Sequence, residues 1–336
     1  MSAVLRLASR PSGPARIDNF TVCDEPLPPL AQGEARIRTF LLSVDPTLRI
    51  WMSDQPQYLP PVELGAVMRC AGLGVVEESL SEGLPVGAVV TGLVNWREQF
   101  IARSGEVTVL PVIPGVAWRE WLGALGMTGG LTAFFGLEHL KLKAGETVVV
   151  TGAAGSVGSL VGQLARLAGC RVIGVAGGPA KCERVVSRYG FDGCVDYKSG
   201  DVAAALDKLC PDGIDAVFEN VGGPVLNQLM LRMNNFSRIA ICGLISQYDL
   251  DRAPGPWAFP MILMRRITVQ GFIILDSIPR FGEALGQLIP LVTSGALKAD
   301  YHEISGALPG VVDALNLMLG GGNEGKTLYR LGPDPV

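Results

Sequence analysis

The sequence predicts an α/β protein in which a doubly wound, mainly parallel sheet is joined to a second, β-rich domain. Two observations carry this prediction. The second half of the chain alternates short apolar runs with segments of helical periodicity, which is the element order of a doubly wound sheet. The first third instead contains strand-like runs separated by glycine and proline. The length of 336 residues also exceeds what one typical core requires.

The first domain is predicted to be a compact, barrel-like arrangement of strands. Strand candidates span residues 35–44, 67–76 and 88–93, with prolines marking the loops between them. From Trp118 to Leu140 apolar residues recur at helical spacing around the glycine-rich run 126–130, which predicts a helix, a glycine break and a second helix. We therefore assign residues 1–122 to the β-rich domain, 123–293 to the sheet domain and 294–336 to a return to the first domain.

The most informative stretch is residues 146–158. Residues 147–151 (TVVVT) are β-branched throughout, as in a strand buried on both faces. A glycine turn follows at 152–155, and a helix must begin at once because apolar residues then recur every three or four positions. A strand, a glycine turn and a helix N-terminus together form a site for a diphosphate. The usual Gly-x-Gly-x-x-Gly pattern falls here on Ala153, Gly155 and Gly158, so its first glycine is replaced.

Further strands and helices alternate after this motif. Strands are predicted at residues 171–176, 194–197, 215–220, 238–242 and 267–274, and a last strand at 327–331. Helices are predicted at residues 181–189, 202–209, 224–233 and about 280–294.

The second predicted strand indicates which dinucleotide binds. NAD sites usually carry an acid about twenty residues after the glycine turn, where it accepts a hydrogen bond from the ribose 2′-hydroxyl. Here that strand ends in 176–181 (AGGPAK), without an acid and with Lys181. Small residues leave room for a 2′-phosphate and the lysine can pair with it, so we expect NADP. Tyr197, at the end of the neighbouring strand, is positioned to lie against the adenosine.

Composition excludes several other classes. The chain is 48% hydrophobic, 18% charged and carries a net charge of −4, so nucleic acid and anionic membranes are not expected partners. No apolar run has the length of a membrane span, and the N-terminal one is too short for a secretory signal, so we expect a cytoplasmic protein. Seven scattered cysteines and two histidines show no zinc-ligand spacing, so no metal is expected.

At this point the sequence resembles a known family. It is similar to the medium-chain dehydrogenase/reductase superfamily, in particular to its zinc-independent leukotriene hydroxydehydrogenase, prostaglandin reductase and alkenal double-bond reductase branch. The matching motifs span most of the chain: 42–46 (LSVDP), 152–163 (GAAGSVGSLVGQ), 177–181 (GGPAK), 196–198 (DYK), 219–223 (ENVGG), 242–248 (CGLISQY), 270–272 (QGF) and 323–326 (NEGK). The resemblance implies a Rossmann domain with a GroES-like catalytic domain, NADPH as cofactor, an enal or enone as substrate, and a homodimer.

The resemblance also implies roles for individual residues. The diphosphate would be held by Gly155, Ser156, Val157 and Gly158, and the 2′-phosphate by Lys181 and Tyr197. The nicotinamide half would be surrounded by Asn220, Cys242, Gly243, Leu244, Ile245, Ser246, Phe272, Ile273, Ile274 and Asn323. Tyr248 is the candidate catalytic donor to the substrate carbonyl, because a phenol is protonated at neutral pH. The 2′-hydroxyl of the nicotinamide ribose is the alternative proton donor.

Three departures from the family pattern concern the substrate. Family members commonly carry a tyrosine where this chain has Thr47, Cys70 begins a strand that is usually glycine-rich, and the turn at 126–130 is one residue longer. Two alternatives to alkene reduction therefore stay open: a quinone reductase of the same superfamily, and a non-catalytic NADP-binding protein that kept the fold.

Overall fold

The computed structural model describes residues 1–248, 250 and 254–335. The chain divides into two compact units. Unit 1 comprises Met1–Leu122, Tyr301–Asn323 and Thr327–Val336, and unit 2 comprises Gly123–Asp300 and Glu324–Lys326. Across the described ranges, no helix combines the length and hydropathy that a membrane span requires.

The N-terminal part of unit 1 consists mainly of strands. Strand β3 alternates buried and half-buried residues at first and then becomes fully buried, because its second half is covered on both faces. One short helix, α1 (Thr47–Trp51), and two 3-10 helices (Ile17–Asn19 and Trp118–Trp121) interrupt the strands. The strands are β1 (Ser2–Leu7), β2 (Phe20–Glu25), β3 (Glu34–Ser43), β4 (Gly72–Ser79), β5 (Val89–Gly92), β6 (Gln99–Arg103) and β7 (Val107–Val109).

Unit 2 alternates strands and helices. Its strands are β8 (Thr147–Thr151), β9 (Arg171–Ala176), β10 (Gly193–Asp196), β11 (Ile214–Glu219), β12 (Met233–Ile241) and β13 (Thr268–Gly271). Its α-helices are α2 (Thr132–Glu138), α3 (Ser156–Leu167), α4 (Pro179–Ser187), α5 (Val202–Leu209), α6 (Gly223–Arg232), α7 (Pro260–Arg265) and α8 (Phe281–Thr293). A π-helical turn (Met127–Leu131) and two 3-10 helices (Ile245–Gln247 and Ile274–Arg280) complete the described elements.

The six strands of unit 2 form one parallel sheet in the order β10-β9-β8-β11-β12-β13. This is the doubly wound order, in which the first and fourth strands of the sheet lie side by side. The order in which strands are added to the sheet reverses between them. All five residues of β8 are buried, as its β-branched sequence predicts. Ligands bind such sheets at the carboxyl ends of the strands beside this reversal, so the ends of β8 and β11 position the site.

The chain then returns to unit 1 through β14 (Tyr301–Ser305), α9 (Val311–Leu319) and β15 (Lys326–Arg330). The sheet of unit 1 has the order β14-β15-β3-β4-β5-β7, with β6 also pairing with β3. The pairings of β3 with β15, β4 and β6 are antiparallel. The predicted fold class is therefore confirmed: a parallel, Rossmann-type sheet is combined with an antiparallel sheet.

Two local predictions were wrong. The predicted helix from Trp118 is only a 3-10 turn, Trp118–Trp121. The predicted glycine break follows it, where Gly129 has non-helical backbone angles and the chain folds back tightly. A Cβ on Gly130 would lie 1.7 Å from the Ala124 carbonyl oxygen. The sixth predicted strand ends at Gly271 rather than Ile274, where a 3-10 helix begins instead.

Candidate nucleotide-binding site

The glycine turn after β8 is shaped by contacts that leave no space for side chains. A Cβ on Gly158 would lie 2.3 Å from the Gly152 carbonyl oxygen, and one on Gly155 would lie 3.2 Å from it. These glycines therefore let the first turn of α3 pack directly on the loop. Gly155 caps α3 with extended backbone angles, and Ser156 and Val157 begin the helix. The N–H groups of a helix N-terminus are thereby exposed in the position that suits a diphosphate.

The replaced first glycine of the pattern has a structural explanation. The positive φ of the turn, +62°, falls on Gly152, one residue before the pattern begins. Ala153 is fully buried, and its Cβ occupies the space beside Gly174, where a second Cβ would approach it to 2.8 Å. The alanine is tolerated because Gly152 adopts the left-handed conformation and Gly174 provides the room.

The loops that follow β9 and β10 contact each other in unit 2, and the space beside them is the candidate 2′-phosphate pocket. A Cβ on Gly177 would lie 2.8 Å from the Tyr197 hydroxyl oxygen, so the phenol packs against bare backbone. Asp196 Oδ1 accepts hydrogen bonds from the N–H groups of Gly178 (2.7 Å) and Lys198 (2.9 Å). One carboxylate oxygen thus joins the two loops. This oxygen of Asp196 therefore holds backbone, and the chain carries Lys181 after the first loop and Lys198 in the second.

Lys181, in the first turn of α4, lies in a cationic environment. Burial lowers the pKa of its ammonium group, and the charges of Lys198 and Arg184 lower it further, while Glu324 opposes the shift. Arg184 itself pairs with Glu324 at 2.6 Å. Lys198 was not predicted as a site residue, although it directly follows Tyr197 in the same motif. Two lysines of like charge at one pocket favour a dianion such as a 2′-phosphate.

The end of β11 is bonded tightly to the end of β8. Asn220 donates its backbone N–H to Thr151 Oγ1 and its side-chain Nδ2 to the Thr151 carbonyl oxygen, both at 2.7 Å. Thr151 Oγ1 in turn donates to Glu219 Oε1 at 2.9 Å. These bonds fix the carboxamide of Asn220 directly beside Gly152, at the point where the sheet reverses. Neither Thr151 nor Glu219 was predicted as a site residue. The sequence signal that could have indicated Glu219 is a charged residue at the end of an otherwise apolar strand.

The loop after β12, residues 242–248, is attached to the turn after β11. Ile245 N–H donates to the Asn220 carbonyl oxygen at 3.1 Å. Ser246 binds the Val221 carbonyl oxygen through its N–H (3.1 Å) and its hydroxyl (2.6 Å). The Leu244 side chain packs on Gly222, where a Cβ would lie 3.1 Å from it. The predicted residues of this loop and Asn220 therefore form one continuous structure within unit 2.

Tyr248 folds back over its own loop. Its hydroxyl oxygen accepts a hydrogen bond from the Leu244 N–H at 3.0 Å, and a Cβ on Gly243 would lie 3.0 Å from the same oxygen. A side chain at Gly243 would therefore have to shift the Tyr248 phenol. Accepting a hydrogen bond polarises an O–H group, which makes the phenol a stronger donor.

Phe272 contacts the end of β12 through its backbone, donating its N–H to the Ile241 carbonyl oxygen at 3.4 Å. Its ring packs against Phe218 and His139 and fills the space left by Gly136. Ile273 and Ile274, both half-buried, follow at the start of a 3-10 helix. Because the ring is packed against protein, we expect Phe272 to contact a ligand through its backbone.

The motif at 323–326 divides between the two units. Asn323 belongs to unit 1, and its assignment to the nicotinamide half stays a prediction. Gly325 belongs to unit 2, where it forms a bridge with Gly155 and donates its N–H to the Ala154 carbonyl oxygen at 3.2 Å. Lys326, which is 2% exposed, donates to Thr128 Oγ1 at 3.0 Å. Gly325 and Lys326 support the glycine turn and were not predicted as site residues.

Unit 1 contains a second phenol of interest. Thr47, in place of the family tyrosine, makes a short hydrogen bond with the Tyr58 hydroxyl. Burial raises the pKa of Tyr58, although the bond to Thr47 opposes the shift. The phenol is thus protonated at neutral pH.

The cysteines and acidic residues do not form a metal site in the described part of the chain. No group of three or more His, Cys, Asp or Glu side chains there could hold a metal ion. All seven cysteines, which lie in that part, are free thiols. Burial, assisted by the nearby Glu219, raises the pKa of the Cys242 thiol to about 12, so this cysteine is a neutral packing group.

The fold and these strand-end turns define a dinucleotide-binding protein of the dehydrogenase and reductase class. Comparison with known proteins makes this more specific. Residues 4–110 match the family described as the N-terminal domain of oxidoreductase, and residues 156–291 match the one described as zinc-binding dehydrogenase.

Similar proteins cover nearly the whole chain. NADPH-dependent curcumin reductase from Escherichia coli (strain K12) is 38% identical over 98% of this chain and 96% of its own length. Prostaglandin reductase 1 from Rattus norvegicus is 36% identical over 93% and 94% of the two chains. The crystal structure of CurA from Vibrio vulnificus in complex with NADPH has a TM-score of 0.93 at 38% identity, covering 99% of this chain and all of the other. The chain therefore belongs to the medium-chain dehydrogenase/reductase superfamily, in its prostaglandin reductase and alkenal double-bond reductase branch.

Proposed function

We propose that the protein reduces the carbon–carbon double bond of α,β-unsaturated aldehydes or ketones with NADPH. The observation that carries this proposal is that the charge of Lys198 acts on Lys181 beside the ends of β9 and β10, while Asp196 Oδ1 there is engaged by two backbone N–H groups. Two lysines at this place suit a 2′-phosphate, so NADPH is the expected cofactor. Relatives named as an NADPH-dependent curcumin reductase and a prostaglandin reductase support the reaction class.

Residues of unit 2 would contact the cofactor along its length. The exposed N–H groups at Ser156 and Val157 would hold the diphosphate, because Gly155 and Gly158 leave no Cβ in the way. The Asn220 turn and the bonded loop 242–246 would hold the nicotinamide half, together with the backbone at Phe272, Ile273 and Ile274. When bound, the cofactor supplies a hydride to the β-carbon of the substrate.

Tyr248 is the residue that we assign to the chemistry. Negative charge develops on the carbonyl oxygen of an enone as its β-carbon is reduced, and a donor aimed at that oxygen lowers the barrier. The phenol of Tyr248 stands at the carboxyl end of β12 and is polarised by the Leu244 N–H. It therefore stabilises the enolate oxygen. The α-carbon must also receive a proton. Either the Tyr248 phenol or the 2′-hydroxyl of the nicotinamide ribose is its source.

A panel of substrates tests the proposed function. Initial rates of NADPH oxidation are measured with an enal, an aliphatic enone, an aryl-conjugated enone and a simple quinone, and the products are identified. We expect turnover of the conjugated carbonyls to saturated products. Turnover of the quinone alone would identify a quinone reductase, and tight NADPH binding without turnover of any compound would identify a non-catalytic nucleotide-binding protein.

We also propose that the protein is a homodimer that acts in the cytoplasm. All four residues of β13, the edge strand of the parallel sheet, are exposed, and Val269 is among them. Exposed apolar side chains also lie on and before α7, including Phe259, Leu263 and Met264. An exposed edge strand beside apolar surface favours pairing with a second copy. The seven free thiols suit a reducing compartment.

A further inference from the structure

Glu219 is a buried acid to which the sequence motifs assign no role. It is fully buried at the last position of β11. A buried carboxyl group is costly unless hydrogen bonds compensate for the lost water. Glu219 Oε1 accepts three of them, from Thr151 Oγ1 at 2.9 Å and from the N–H groups of Val221 and Gly222 at 2.6 Å each. Its side chain is therefore folded back onto the turn that follows its own strand.

The backbone of the same residue holds the neighbouring loop. The Glu219 carbonyl oxygen accepts the N–H groups of Cys242 at 2.9 Å and Gly243 at 3.2 Å. Glu219 thus connects the ends of three adjacent strands: β8 through Thr151, β11 through its own turn, and β12 through the start of the 242–248 loop. These strand ends surround Asn220, the residue that we assign to the nicotinamide half.

The other carboxyl oxygen shows that this arrangement is not optimised for stability. Glu219 Oε2 is buried and has no hydrogen-bond partner among the residues that the structure describes. Burial raises the pKa of Glu219 despite the three bonds to Oε1. A leucine or glutamine would avoid part of this desolvation cost. An acceptor that binds two consecutive backbone N–H groups is, however, what gives the turn its shape.

We propose that Glu219 is a positioning residue for the nicotinamide half of the cofactor. Its carboxyl oxygen Oε1 fixes the turn formed by Val221 and Gly222. This turn holds the adjacent Asn220, and its Val221 carbonyl oxygen holds the loop at Ser246. The inference rests on NADPH binding as proposed above. It does not depend on which substrate is reduced.

Two ligands separate this role from a general contribution to folding. Adenosine 2′,5′-bisphosphate contains the 2′-phosphate but lacks the nicotinamide half, whereas NADPH contains both. Dissociation constants for both ligands are measured by titration calorimetry on Glu219→Ala, Glu219→Gln and the wild type. We expect Glu219→Ala to weaken NADPH about tenfold, since two or more hydrogen bonds to the turn are lost. The affinity for the bisphosphate should stay within about twofold.

The conservative variant and a control at the other end of β11 complete the experiment. Glu219→Gln keeps an acceptor oxygen, so its NADPH affinity should recover to within about threefold of wild type. Asp215 makes comparable contacts at the start of the same strand, accepting from Thr147 N–H at 2.9 Å and from Asn234 Nδ2 at 2.7 Å. Asp215→Ala should change neither affinity, because that end of the sheet is remote from the site.

Several results would overturn the inference. These are an unchanged NADPH affinity in Glu219→Ala, an equal loss for both ligands, or no recovery in Glu219→Gln. If Glu219→Ala does not fold, Glu219→Leu replaces it, because leucine fills the buried space and removes both acceptor oxygens while Thr151 keeps its hydrogen bonds to Asn220. The variant must then weaken NADPH and spare the bisphosphate, and any other result contradicts the inference. All readouts are binding constants, so a failure to reduce enones would affect only the proposed function.

Discussion

At the residue scale, the preference for NADPH depends on two lysines in one pocket. Burial and the charge of Lys198 both lower the pKa of Lys181, which means that the folded chain holds two like charges close together. A bound dianion relieves this repulsion and gains charge-assisted hydrogen bonds. NADH offers only a ribose hydroxyl at the same place, so it gains neither.

Replacing each lysine tests this argument. We expect Lys181→Ala to weaken NADPH by about ten- to a hundredfold and Lys198→Ala by about three- to tenfold, because each change removes one charged contact. NADH affinity should hardly change in either variant. Lys208→Ala, at an exposed position on α5, is the control and should affect neither cofactor. Equal losses for NADPH and NADH would refute the 2′-phosphate assignment.

Tyr248→Phe tests the catalytic assignment. The change removes only the hydroxyl, which in the structure accepts the Leu244 N–H. If this hydroxyl stabilises the enolate oxygen, kcat should fall by about ten- to a thousandfold while the Kd for NADPH stays within about twofold. Stopped-flow single turnovers and a separate NADPH titration measure the two quantities.

Two other results are informative about Tyr248. A kcat within about a factor of two of wild type would make it a packing residue. A parallel loss of NADPH affinity would mean that it only supports the loop. Tyr58→Phe, which removes the phenol bonded to Thr47, is the comparison variant for a donor in unit 1.

At the scale of elements, β-branched runs and glycine turns were read correctly from sequence. The limits of β8, β9 and α5 agree with the prediction to the residue, because glycines flank the two apolar strands, while Asp201 caps the start of α5 and Pro211 follows its end. The strand β12 begins five residues earlier than predicted, at Met233. Its first half carries Asn234, Asn235 and an exposed Phe236, which do not have the pattern of a buried strand.

Other elements and site residues depend on contacts that no local pattern reveals. Strands β1 and β2 form a separate two-stranded sheet, and helices α7 and α9 were not predicted. Within the site, the glycine turn was identified by its spacing. Glu219, Lys198 and Gly325 act through contacts with residues of other strands and loops, which only the fold brings close to them. Their roles could therefore be seen only in three dimensions.

An ion pair at the opposite end of the sheet from the site offers a test at this scale. Arg238 binds both carboxylate oxygens of Glu146, at 2.9 and 2.6 Å, and each side chain is 17% exposed. Burial alone would raise the pKa of Glu146, but the hydrogen bonds from Arg238 and the Lys143 N–H outweigh it and lower the pKa. The pair therefore stabilises the protein above the ordinary pKa of a carboxyl group, and this contribution is lost as the pH falls through the lowered value.

We expect Glu146→Gln to reduce the free energy of unfolding by about 2 kcal/mol at pH 7, since one partner of a half-buried pair is lost. The difference from wild type should shrink as the pH falls toward about 3. Urea unfolding at a series of pH values measures it, and NADPH affinity at pH 7 serves as the control. A difference that stays constant or grows in acid would show that the pair does not carry the stability.

For the whole molecule, the exposed edge strand predicts self-association. One chain has a mass of 35.5 kDa. Because we expect a dimer, light scattering on the protein eluted from a size-exclusion column should give about twice that mass. Val269→Lys places a charge on the edge strand β13 and should shift the mass to that of one chain. A wild-type protein that elutes with the mass of one chain at micromolar concentration would contradict the proposed dimer.

The central claim is that the hydride of NADPH reaches the β-carbon of a conjugated carbonyl compound. The most direct measurement uses NADPH that carries deuterium at the transferable position, an aryl-conjugated enone as substrate, and mass spectrometry with NMR on the product. We expect a saturated ketone with one deuterium on the β-carbon and none on the carbonyl carbon. An allylic alcohol with deuterium on the carbonyl carbon, or a product without deuterium from the cofactor, would contradict it.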